Sequence, residues 1–595
     1  MDNQLNTETP QNRLDSLRDE LARAGVDGFI IPRADEYLGE YVPASGERLA
    51  WLTGFTGSAG MAIVLPDRAA VFTDGRYTTQ VAQQTDPALW ERRHITEEPP
   101  TAWLKEHAAG KRIGYDPWLH PQAALDRFAA SGAIFVPLAA NPLDAIWADR
   151  PSAPTAPAEP WPEEFAGRSA AEKREAIAKE LREAGQNAVV LADAHSVAWL
   201  LNMRGGDLDH TPLALAFALL RDDASVTLFM DPAKAGPALR EALGNAVSIE
   251  PSAALPAALA RLEGKTVRLD PEATPVWFAA HLREAGAELV KAPDPIRLPR
   301  ACKTEAERNG ARAAHRRDAR AMVRFLAWFA QEAPKGGLTE ISAADRLLAF
   351  RQAEDRFRAE SFPAIAGAGE HGAIIHYRAT EASNRPIGPD ESFLLDSGAQ
   401  YLDGTTDITR TLWTGPDAPP AELRTRYTLV LRGMIALSAT RFPEGVAGPH
   451  LDAIARRPLW EAGLDYDHGT GHGVGAFLSV HEGPVAFSRN AANVPLREGM
   501  ILSDEPGFYL PGAYGIRIEN LLLVRADAGA PGPRRWMHFE TLTLVPFERA
   551  LIDVEALDRA ERAWIDAYHA RVLVEVGPSL DGPTADWLRA ACAPL

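Results

Sequence analysis

The chain has 595 residues, which is more than one ordinary domain holds and predicts about two to four domains. Hydrophobic residues make up 46% of it and charged residues 24%, as in globular proteins, and no apolar run approaches the roughly 18 residues of a membrane-spanning helix. The net charge of −19 argues against non-specific binding to nucleic acid.

The N-terminus and the cysteine content indicate a reducing compartment. The first residues, MDNQLNTETPQNRLDS, are polar and lack the hydrophobic stretch of a secretory signal. Cys302 and Cys592 are the only cysteines, so no disulfide framework is implied. We therefore expect a cytoplasmic protein that binds neither membranes nor nucleic acids.

Two early segments repeat one pattern. LRDELARAGVDGFII at residues 17–31 and IAKELREAGQNAVVL at residues 177–191 each predict a helix that ends at a glycine and leads into a strand. A Trp-Leu pair follows each segment, at Trp51 and at Trp199. The repetition predicts a duplicated α/β domain.

A proline-rich stretch separates the two copies. RPSAPTAPAEPWPEE, residues 150–164, predicts a linker, so we place the two domains at residues 1–155 and 156–300. Neither copy carries a dinucleotide fingerprint or a P-loop. In the first copy, TDGRY at residues 73–77 predicts a turn that presents Arg76, which by itself is typical of a solvent-exposed arginine.

A third domain, residues 301–595, is predicted to open with a long helix. Thr304 and Glu307 have the spacing of a capping box, which satisfies free N–H groups at a helix start. An apolar stripe follows at helical spacing, formed by Met322, Phe325, Leu326 and Phe329. The fold class is therefore α/β (α+β), with two related N-terminal α/β domains before a larger C-terminal domain.

Two aspartates in this third domain are predicted to meet through a hairpin. Asp396 ends the apolar strand pattern FLLD, and Asp407 lies 11 residues later in the Thr-rich strand pattern TDITRT. YLDG between them supplies turn residues. Because side chains alternate along a strand, Asp407 shares a face with Thr409 and Thr411.

Two glutamates likewise lie in or at the end of apolar strand patterns. In ILSDEPGFYL, Glu505 lies where a proline and a glycine end an apolar strand, and the adjacent Asp504 is predicted to point the other way. In GIRIENLLLV, Glu519 shares one face of a predicted strand with Arg517, so we expect Arg517 to orient that carboxylate. A glutamate in so apolar a strand is costly unless it is paired or binds a metal.

Histidines occur near these acids. DHGTGHGVGAFLSVHEGP contains His468, His472 and His481, and its interleaved glycines predict an irregular segment rather than a helix. We interpret His472 as a nitrogen ligand, with His468 and His481 lining the same site. His376 in GAIIHYRAT is a further candidate, with an ordinary histidine at a strand end as the alternative.

The chemistry of this set predicts a metal centre. Four carboxylates and one imidazole form an oxygen-rich donor set, whose four negative charges would balance two divalent ions that activate a shared water. Such a set favours manganese over the nitrogen and sulfur sites usual for zinc, with cobalt or zinc as alternatives. The predicted ligands are Asp396, Asp407, His472, Glu505 and Glu519.

Four strings resemble a known family. DSGAQYLDGTTDITRT, HGTGHGVGAFLSVHEGP, DEPGFY and RIEN resemble the catalytic domain of Xaa-Pro aminopeptidases (aminopeptidase P), which are pita-bread metallopeptidases like prolidase and methionine aminopeptidase. The resemblance covers the whole chain, and the length is similar to that of the three-domain cytosolic-type enzymes. It implies a C-terminal pita-bread catalytic domain and a homodimer that acts on peptides with proline at the second position.

The resemblance also distributes the five ligands between two metals. It implies that Asp396 and Asp407 bind one metal and that Asp407 bridges to the second. His472 and Glu505 complete the second site, and Glu519 is the other bridge.

Further roles follow from the same resemblance. Glu505 is expected to accept the proton of the attacking water, while His376 and His481 stabilise the tetrahedral intermediate and protonate the proline nitrogen. His376, His468 and His481 are expected to contact substrate, and Arg76 is implied as a peptide contact.

Two alternative functions fit the sequence less well. Prolidase, which cuts only dipeptides, has the same fold, but the three-domain length and the HGTGHGVG string favour the aminopeptidase. A peptide-binding pseudoenzyme is the other alternative. Relatives of that kind have lost ligands, whereas all five ligand positions are filled here.

Overall fold

The structure is a computed structural model that describes residues 9–529 and 532–595. Two compact units make up the described chain. The first consists of the described residues up to Trp161, with Arg168–Leu208 and Leu213–Ile296; the second consists of Pro162–Gly167, Asp209–Pro212 and Arg297–Leu595.

The first unit begins with a six-stranded sheet flanked by helices. Its strand order is β4-β3-β2-β1-β5-β6, and β2 runs antiparallel to both of its neighbours. The elements are β1 Gly28–Pro32, β2 Met61–Val64, β3 Ala69–Thr73, β4 Glu91–His94, β5 Arg112–Tyr115 and β6 Ile134–Pro137, with α1 Pro10–Arg23, α2 Arg48–Thr53, α3 Thr78–Gln84, α4 Pro100–His107, α5 Gln122–Phe128 and α6 Pro142–Ile146.

A second six-stranded sheet follows, with the order β12-β11-β10-β8-β13-β14. Its strands are β8 Ala188–Leu191, β10 Phe217–Arg221, β11 Val226–Phe229, β12 Val247–Glu250, β13 Thr266–Leu269 and β14 Glu288–Lys291. The short strands β7 Ala158–Pro160 and β9 Met203–Gly205 pair with each other. The helices of this part of the chain are α7 Glu163–Ala166, α8 Ala170–Glu183, α9 Ala194–Leu200, α10 Pro237–Leu243, α11 Leu255–Ala260 and α12 Val276–Glu284.

The two sheets have the same topology. Strand β10 runs antiparallel to β11 and β8, as β2 does to β3 and β1, and the remaining neighbours in both sheets are parallel. The predicted duplication is therefore confirmed. The proline-rich stretch is more than a linker, because β7 lies within it and pairs with β9.

The second unit combines helices with several small antiparallel sheets. Its helices are α13 Arg297–Ala301, α14 Glu305–Glu332, α15 Glu340–Gln352, α16 Ala421–Ser438, α17 Gly448–Glu461, α18 Arg559–Val576 and α19 Gly582–Ala591. Its strands are β15 Phe357–Glu360, β16 Ile365–Ala368, β17 Ser392–Ser397, β18 Ala399–Tyr401, β19 Gly404–Thr405, β20 Ile408–Trp413, β21 Phe442–Pro443, β22 Gly471–His472, β23 Ala486–Phe487, β24 Ile501–Asp504, β25 Gly507–Leu510, β26 Tyr514–Arg517, β27 Asn520–Ala526 and β28 Trp536–Thr541.

Two sheets of this unit carry most of the predicted site. One has the order β16-β17-β20 and the other β21-β28-β27-β24, and all of their neighbouring strands are antiparallel.

Helix α14 packs on the first of these sheets, and its predicted capping box and apolar stripe are both present. The Thr304 hydroxyl accepts from the Glu307 N–H, and the Glu307 carboxylate accepts from the Thr304 N–H, so the capping box is present. The apolar stripe is buried in one core, where Phe329 stacks on Phe393 of β17 with ring centroids 5.0 Å apart. Each such side chain contributes about 1.5–3 kcal/mol through burial, which holds α14 against the strands.

None of the helices in the described ranges, 9–529 and 532–595, is both long and apolar enough to cross a membrane.

Candidate functional site

The predicted hairpin brings the two aspartates together. Strands β17 and β20 pair antiparallel with Asp396 opposite Thr409, and the chain turns between them through the short pair β18 and β19. Asp407 directly precedes β20, and both carboxylates are buried. The negative charge of Asp407 raises the pKa of Asp396 in addition to burial, which places the two acids at one point.

Helix α14 holds the turn of this hairpin. Arg317 donates to Asp403 in the turn at 2.9 Å, and both side chains are buried. Gly310 faces the same turn, where a Cβ atom would lie 2.2 Å from the Asp403 carbonyl oxygen. Glycine is therefore required for the close approach of helix and turn.

Glu505 follows the end of β24 and points away from its neighbour. Its N–H donates to the Thr470 carbonyl at 2.8 Å, and its carboxylate accepts from the Ser503 hydroxyl at 3.1 Å. Asp504 instead accepts from the Ser438 hydroxyl of α16 at 2.7 Å. The expectation that Asp504 faces the opposite way is confirmed.

Glu519 lies between two strands rather than within one. The predicted strand GIRIENLLLV is interrupted after Arg517, because β26 pairs with β25 whereas β27 pairs with β24. At the break the Glu519 N–H donates to the Thr409 carbonyl at 3.1 Å, and its carboxylate accepts from the Thr409 hydroxyl at 2.8 Å. Glu519 is thereby fixed beside the aspartate hairpin.

His472 faces these carboxylates. Its Nε2 atom lies 3.5 Å from Asp407 Oδ2 and 3.4 Å from Glu505 Oε1. Its Nδ1 atom is 3.0 Å from the Gly473 carbonyl, which suits an N–H donor there and leaves Nε2 as the atom that could coordinate a metal. One possible ligand atom from each of Asp407, His472 and Glu519 lies within 4.8 Å of the others.

The electrostatics of this cluster fit positive ions. Burial raises the pKa of Asp396, raises that of Glu505 to about 7, and raises that of Glu519 well above its ordinary value. Asp396 Oδ1 and Glu519 Oε1 are buried and accept no hydrogen bond from the described residues. Because buried carboxylate oxygens need a partner, this donor set fits divalent cations.

The same carboxylates stabilise the protonated form of His472. Burial disfavours its charged form, but Asp407 and Glu505 outweigh burial and raise the pKa of His472 to about 9. In the metal-free protein at neutral pH, His472 Nε2, the atom that would bind a cation, therefore carries a proton.

Arg517 pairs with a different carboxylate from the one predicted. It donates to Asp396 Oδ2 from Nη2 at 2.7 Å and from Nε at 3.2 Å, so its direct ion pair is with Asp396. Among the described residues, it reaches Glu519 only through the Thr409 hydroxyl, which accepts from Arg517 Nε at 3.3 Å and donates to Glu519 at 2.8 Å. The reason for the different pairing is the break after Arg517, which ends the strand alternation on which the prediction depended. Arg517 also donates to the Tyr509 hydroxyl at 2.7 Å and to the Ile375 carbonyl at 3.3 Å.

The three remaining histidines lie next to this network. The His481 ring meets the His472 ring edge-on, with centroids 4.2 Å apart. His468 Nε2 is 2.8 Å from the hydroxyl of Tyr509, the same hydroxyl that Arg517 contacts. His376 directly follows Ile375, whose carbonyl Arg517 also holds.

Tyr509 was missed by the sequence analysis. It links His468 to Arg517, and thereby to Asp396. The string DEPGFY contains it, but a tyrosine near a glycine gives no sign of its role until β25 and β26 are paired.

Arg76 lies in the first unit. Its Nε and Nη2 atoms donate to the two oxygens of Asp74 at 2.9 and 2.7 Å, and its guanidinium lies over the Tyr77 ring. The predicted turn is present as the 3₁₀ segment Gly75–Tyr77. A role for Arg76 as a peptide contact stays a prediction.

Sequence profiles of known families match nearly all of the chain. The Creatinase/Prolidase N-terminal domain matches twice, at residues 13–146 and 149–307. Metallopeptidase family M24 matches residues 309–526, and the C-terminal region of that peptidase family matches residues 535–595.

Individual relatives match along most or all of their length. Aminopeptidase P2 of Arabidopsis thaliana is 38% identical, over 96% of this chain and 86% of the relative. A probable Xaa-Pro aminopeptidase P of Paracoccidioides brasiliensis is 36% identical, over 99% of this chain and all of its own. The crystal structure of X-prolyl aminopeptidase from Caenorhabditis elegans, described as a cytosolic enzyme with a di-nuclear active site, superposes with a TM-score of 0.94 at 33% identity. That match covers 99% of this chain and 100% of the other.

These full-length matches and the two creatinase-type domains before a pita-bread domain lead to one conclusion: the chain belongs to the Xaa-Pro aminopeptidase P group of the M24 metallopeptidases.

Proposed function

We propose that the chain is a dinuclear metalloaminopeptidase that hydrolyses the first peptide bond of substrates with proline in second position, releasing one free amino acid. The observation that carries this proposal is the convergence of Asp407, His472 and Glu519, within 4.8 Å, in a fold that matches an enzyme with a di-nuclear active site.

The residues that would hold two divalent ions are the five donors described above, of which Asp396, Asp407 and Glu519 are buried. Asp396 and Asp407 would serve one ion, and His472 and Glu505 the other, with Asp407 and Glu519 shared between them. Two carboxylate oxygens of this set, Asp396 Oδ1 and Glu519 Oε1, are buried and accept no hydrogen bond from the described residues, which supports this use. Manganese suits the oxygen-rich set best, with cobalt and zinc as alternatives.

When bound, the two ions would supply an acidified water as nucleophile and an electrophile for the scissile carbonyl. Glu505 would accept a proton from that water at its carboxylate, which lies 3.4 Å from His472 Nε2 within the cluster. His376 and His481 hydrogen-bond the reacting carbonyl group and return a proton to the proline nitrogen. That nitrogen carries no N–H, so it leaves well only when protonated.

The remaining contacts act on the substrate and on the side chains around it. Arg517 fixes Asp396 and Tyr509, and Tyr509 in turn holds His468, so His468 is presented in a defined orientation. We propose His376, His468 and His481 as substrate contacts, and Arg76 as a contact to the peptide.

The finer organisation is also proposed. We place the domains at residues 1–155, 156–300 and 301–595, and expect a cytoplasmic homodimer, as the cytosolic C. elegans relative suggests for the location. Trp460 of α17, 45% exposed in the single chain, is a candidate for the dimer contact. A peptide-binding pseudoenzyme is disfavoured, because all five donor positions are filled and four of their side chains approach one another.

Substrate length separates the aminopeptidase from a dipeptidase. With manganese bound, the protein should cleave Arg-Pro-Pro to arginine and Pro-Pro, and should cleave the dipeptide Ala-Pro poorly. Replacing the second residue by alanine, in Arg-Ala-Pro, should lower the rate steeply. Faster hydrolysis of Ala-Pro than of Arg-Pro-Pro would favour the prolidase alternative.

Metal affinity should rise with pH. In the metal-free protein His472 is protonated below about pH 9 and Glu505 below about pH 7, so an entering ion must displace both protons at low pH. Affinity for manganese is therefore expected to fall as pH drops from about 9 to 6, and to level off above pH 9. Calorimetric titration in buffers of different ionisation enthalpy measures the protons released. An affinity independent of pH, with no proton release, would contradict this arrangement.

A further inference from the structure

Glu340, which belongs to no motif singled out in the sequence, is a fully buried carboxylate close to the segment that carries His376. It is the first residue of α15 and has 0% relative exposure. A buried carboxylate is costly unless its oxygens are satisfied, so its partners show what it does.

All four partners come from one segment of the chain. Oε1 accepts from the Ala368 N–H at 2.9 Å and lies 2.9 Å from His371 Nδ1. Oε2 accepts from the Tyr377 hydroxyl at 2.8 Å and from the Arg385 N–H at 3.2 Å. Four donors fill the lone-pair sites of a carboxylate.

Capping of α15 does not explain this arrangement. The N-cap of that helix is Thr339, whose hydroxyl accepts from the Ser342 N–H. The hydrogen bonds of the Glu340 side chain run instead to residues 368–385, from the end of β16 through the loop that follows it.

His376 lies inside this segment, in a turn closed by the Tyr377 N–H donating to the Ile374 carbonyl at 2.9 Å. The residue before it, Ile375, is held through its carbonyl by Arg517. The residue after it, Tyr377, is held through its hydroxyl by Glu340. His376 is therefore fixed from both sides, by the Asp396–Arg517 pair and by a carboxylate outside the metal cluster.

We propose that Glu340 is a positioning residue for His376: it holds the turn 374–377 through Tyr377 and the preceding segment through Ala368 and His371. The inference rests on the proposed function, in which His376 contacts the reacting group. Glu340 itself touches neither substrate nor the donor cluster. Its effect on catalysis should consequently pass mainly through His376.

A double-mutant cycle tests this dependence. Glu340→Gln keeps the side-chain volume but places an amide NH₂ where two donors point. With metal content and KM for Arg-Pro-Pro unchanged, kcat should fall at least about tenfold, since a displacement of about 1 Å in a catalytic group can cost up to about 10²-fold. In the His376→Ala background the same change should alter kcat less than about twofold, because residues that act as one unit are not additive.

Two further variants keep the test decisive. Tyr377→Phe removes one hydroxyl and keeps the ring, so it should lower kcat less than Glu340→Gln, and again only when His376 is present. It replaces Glu340→Gln if that variant does not fold. Glu354→Gln is the matched control: Glu354 is a buried carboxylate just beyond the other end of α15, bound by Arg320 and Arg324. It should lower the melting temperature and leave kcat unchanged.

Three results would overturn the inference. An equal fold-loss from Glu340→Gln with and without His376 would show a structural effect unrelated to that histidine, and loss of metal would show that Glu340 supports the donor cluster. Full activity of the single variant His376→Ala would contradict the proposed role of His376, and the inference would fail with it. This outcome is measured before the double variant is made.

Discussion

Glu505→Gln should nearly abolish peptide hydrolysis. The substitution keeps the shape of the side chain but removes the anionic oxygen next to His472 and the group that accepts the proton of water. Loss of a general base alone costs about 10²–10⁴-fold, and loss of a ligand adds to it, so we expect a fall in kcat of about 10⁴-fold or more. Manganese content should also drop below two ions per chain. Turnover of Arg-Pro-Pro and metal analysis of the purified protein measure both effects.

The neighbouring acid provides the control. Asp504 is buried and adjacent in sequence, but its carboxylate accepts from Ser438 and points away from His472. Asp504→Asn makes the same chemical change next to the site, and should keep two ions and most of the activity. Comparable losses from the two variants would show that Glu505→Gln acts through folding, and full activity of Glu505→Gln would remove Glu505 from the site.

His376→Ala should lower kcat by at least about 10²-fold while both metals stay bound, because it removes a proton donor rather than a ligand. The structure supports this separation: the turn that contains His376 contacts the cluster through Arg517 and the Ile375 carbonyl, outside the set formed by Asp407, His472 and Glu519. Steady-state kinetics with Arg-Pro-Pro, together with metal analysis, measure the effect.

A histidine from the same unit serves as the reference for this variant. His450 caps α17, where its Nδ1 accepts from the Ala447 N–H, and within the described chain it makes no hydrogen bond or ion pair with the cluster. His450→Ala should cost some stability and leave kcat and metal content unchanged. If His376→Ala loses metal instead of turnover, His376 acts as a ligand and the division of roles is wrong.

Much of the fold could be predicted because local sequence patterns determine it. The repeated helix–glycine–strand segments predicted two related α/β domains, and the two sheets share one topology. The hairpin that joins Asp396 and Asp407 followed from strand alternation and turn residues. The structure adds the register, which sets Asp396 opposite Thr409. Thr304 and Glu307 likewise marked the start of α14.

Other features depended on pairings between distant segments and left no local trace. The break after Arg517 arises because β26 and β27 pair with different strands. As a result, Arg517 forms its ion pair with Asp396 rather than with Glu519. The roles of Tyr509 and Glu340 likewise appear only when their partners, far away in sequence, are brought to them. A tyrosine at position 509 or a glutamate at position 340 does not by itself indicate such a contact.

The measurement that tests the central claim most directly compares free and N-acetylated Arg-Pro-Pro. An aminopeptidase must recognise the free α-amino group, and the acidic cluster around Asp396 and Glu505 suits that positive charge. With manganese bound, the free peptide should release arginine and Pro-Pro, as identified by mass spectrometry. The acetylated peptide, which has lost the charge and gained bulk, should remain uncut. Cleavage of both peptides at equal rates would contradict the aminopeptidase assignment and point to an endopeptidase.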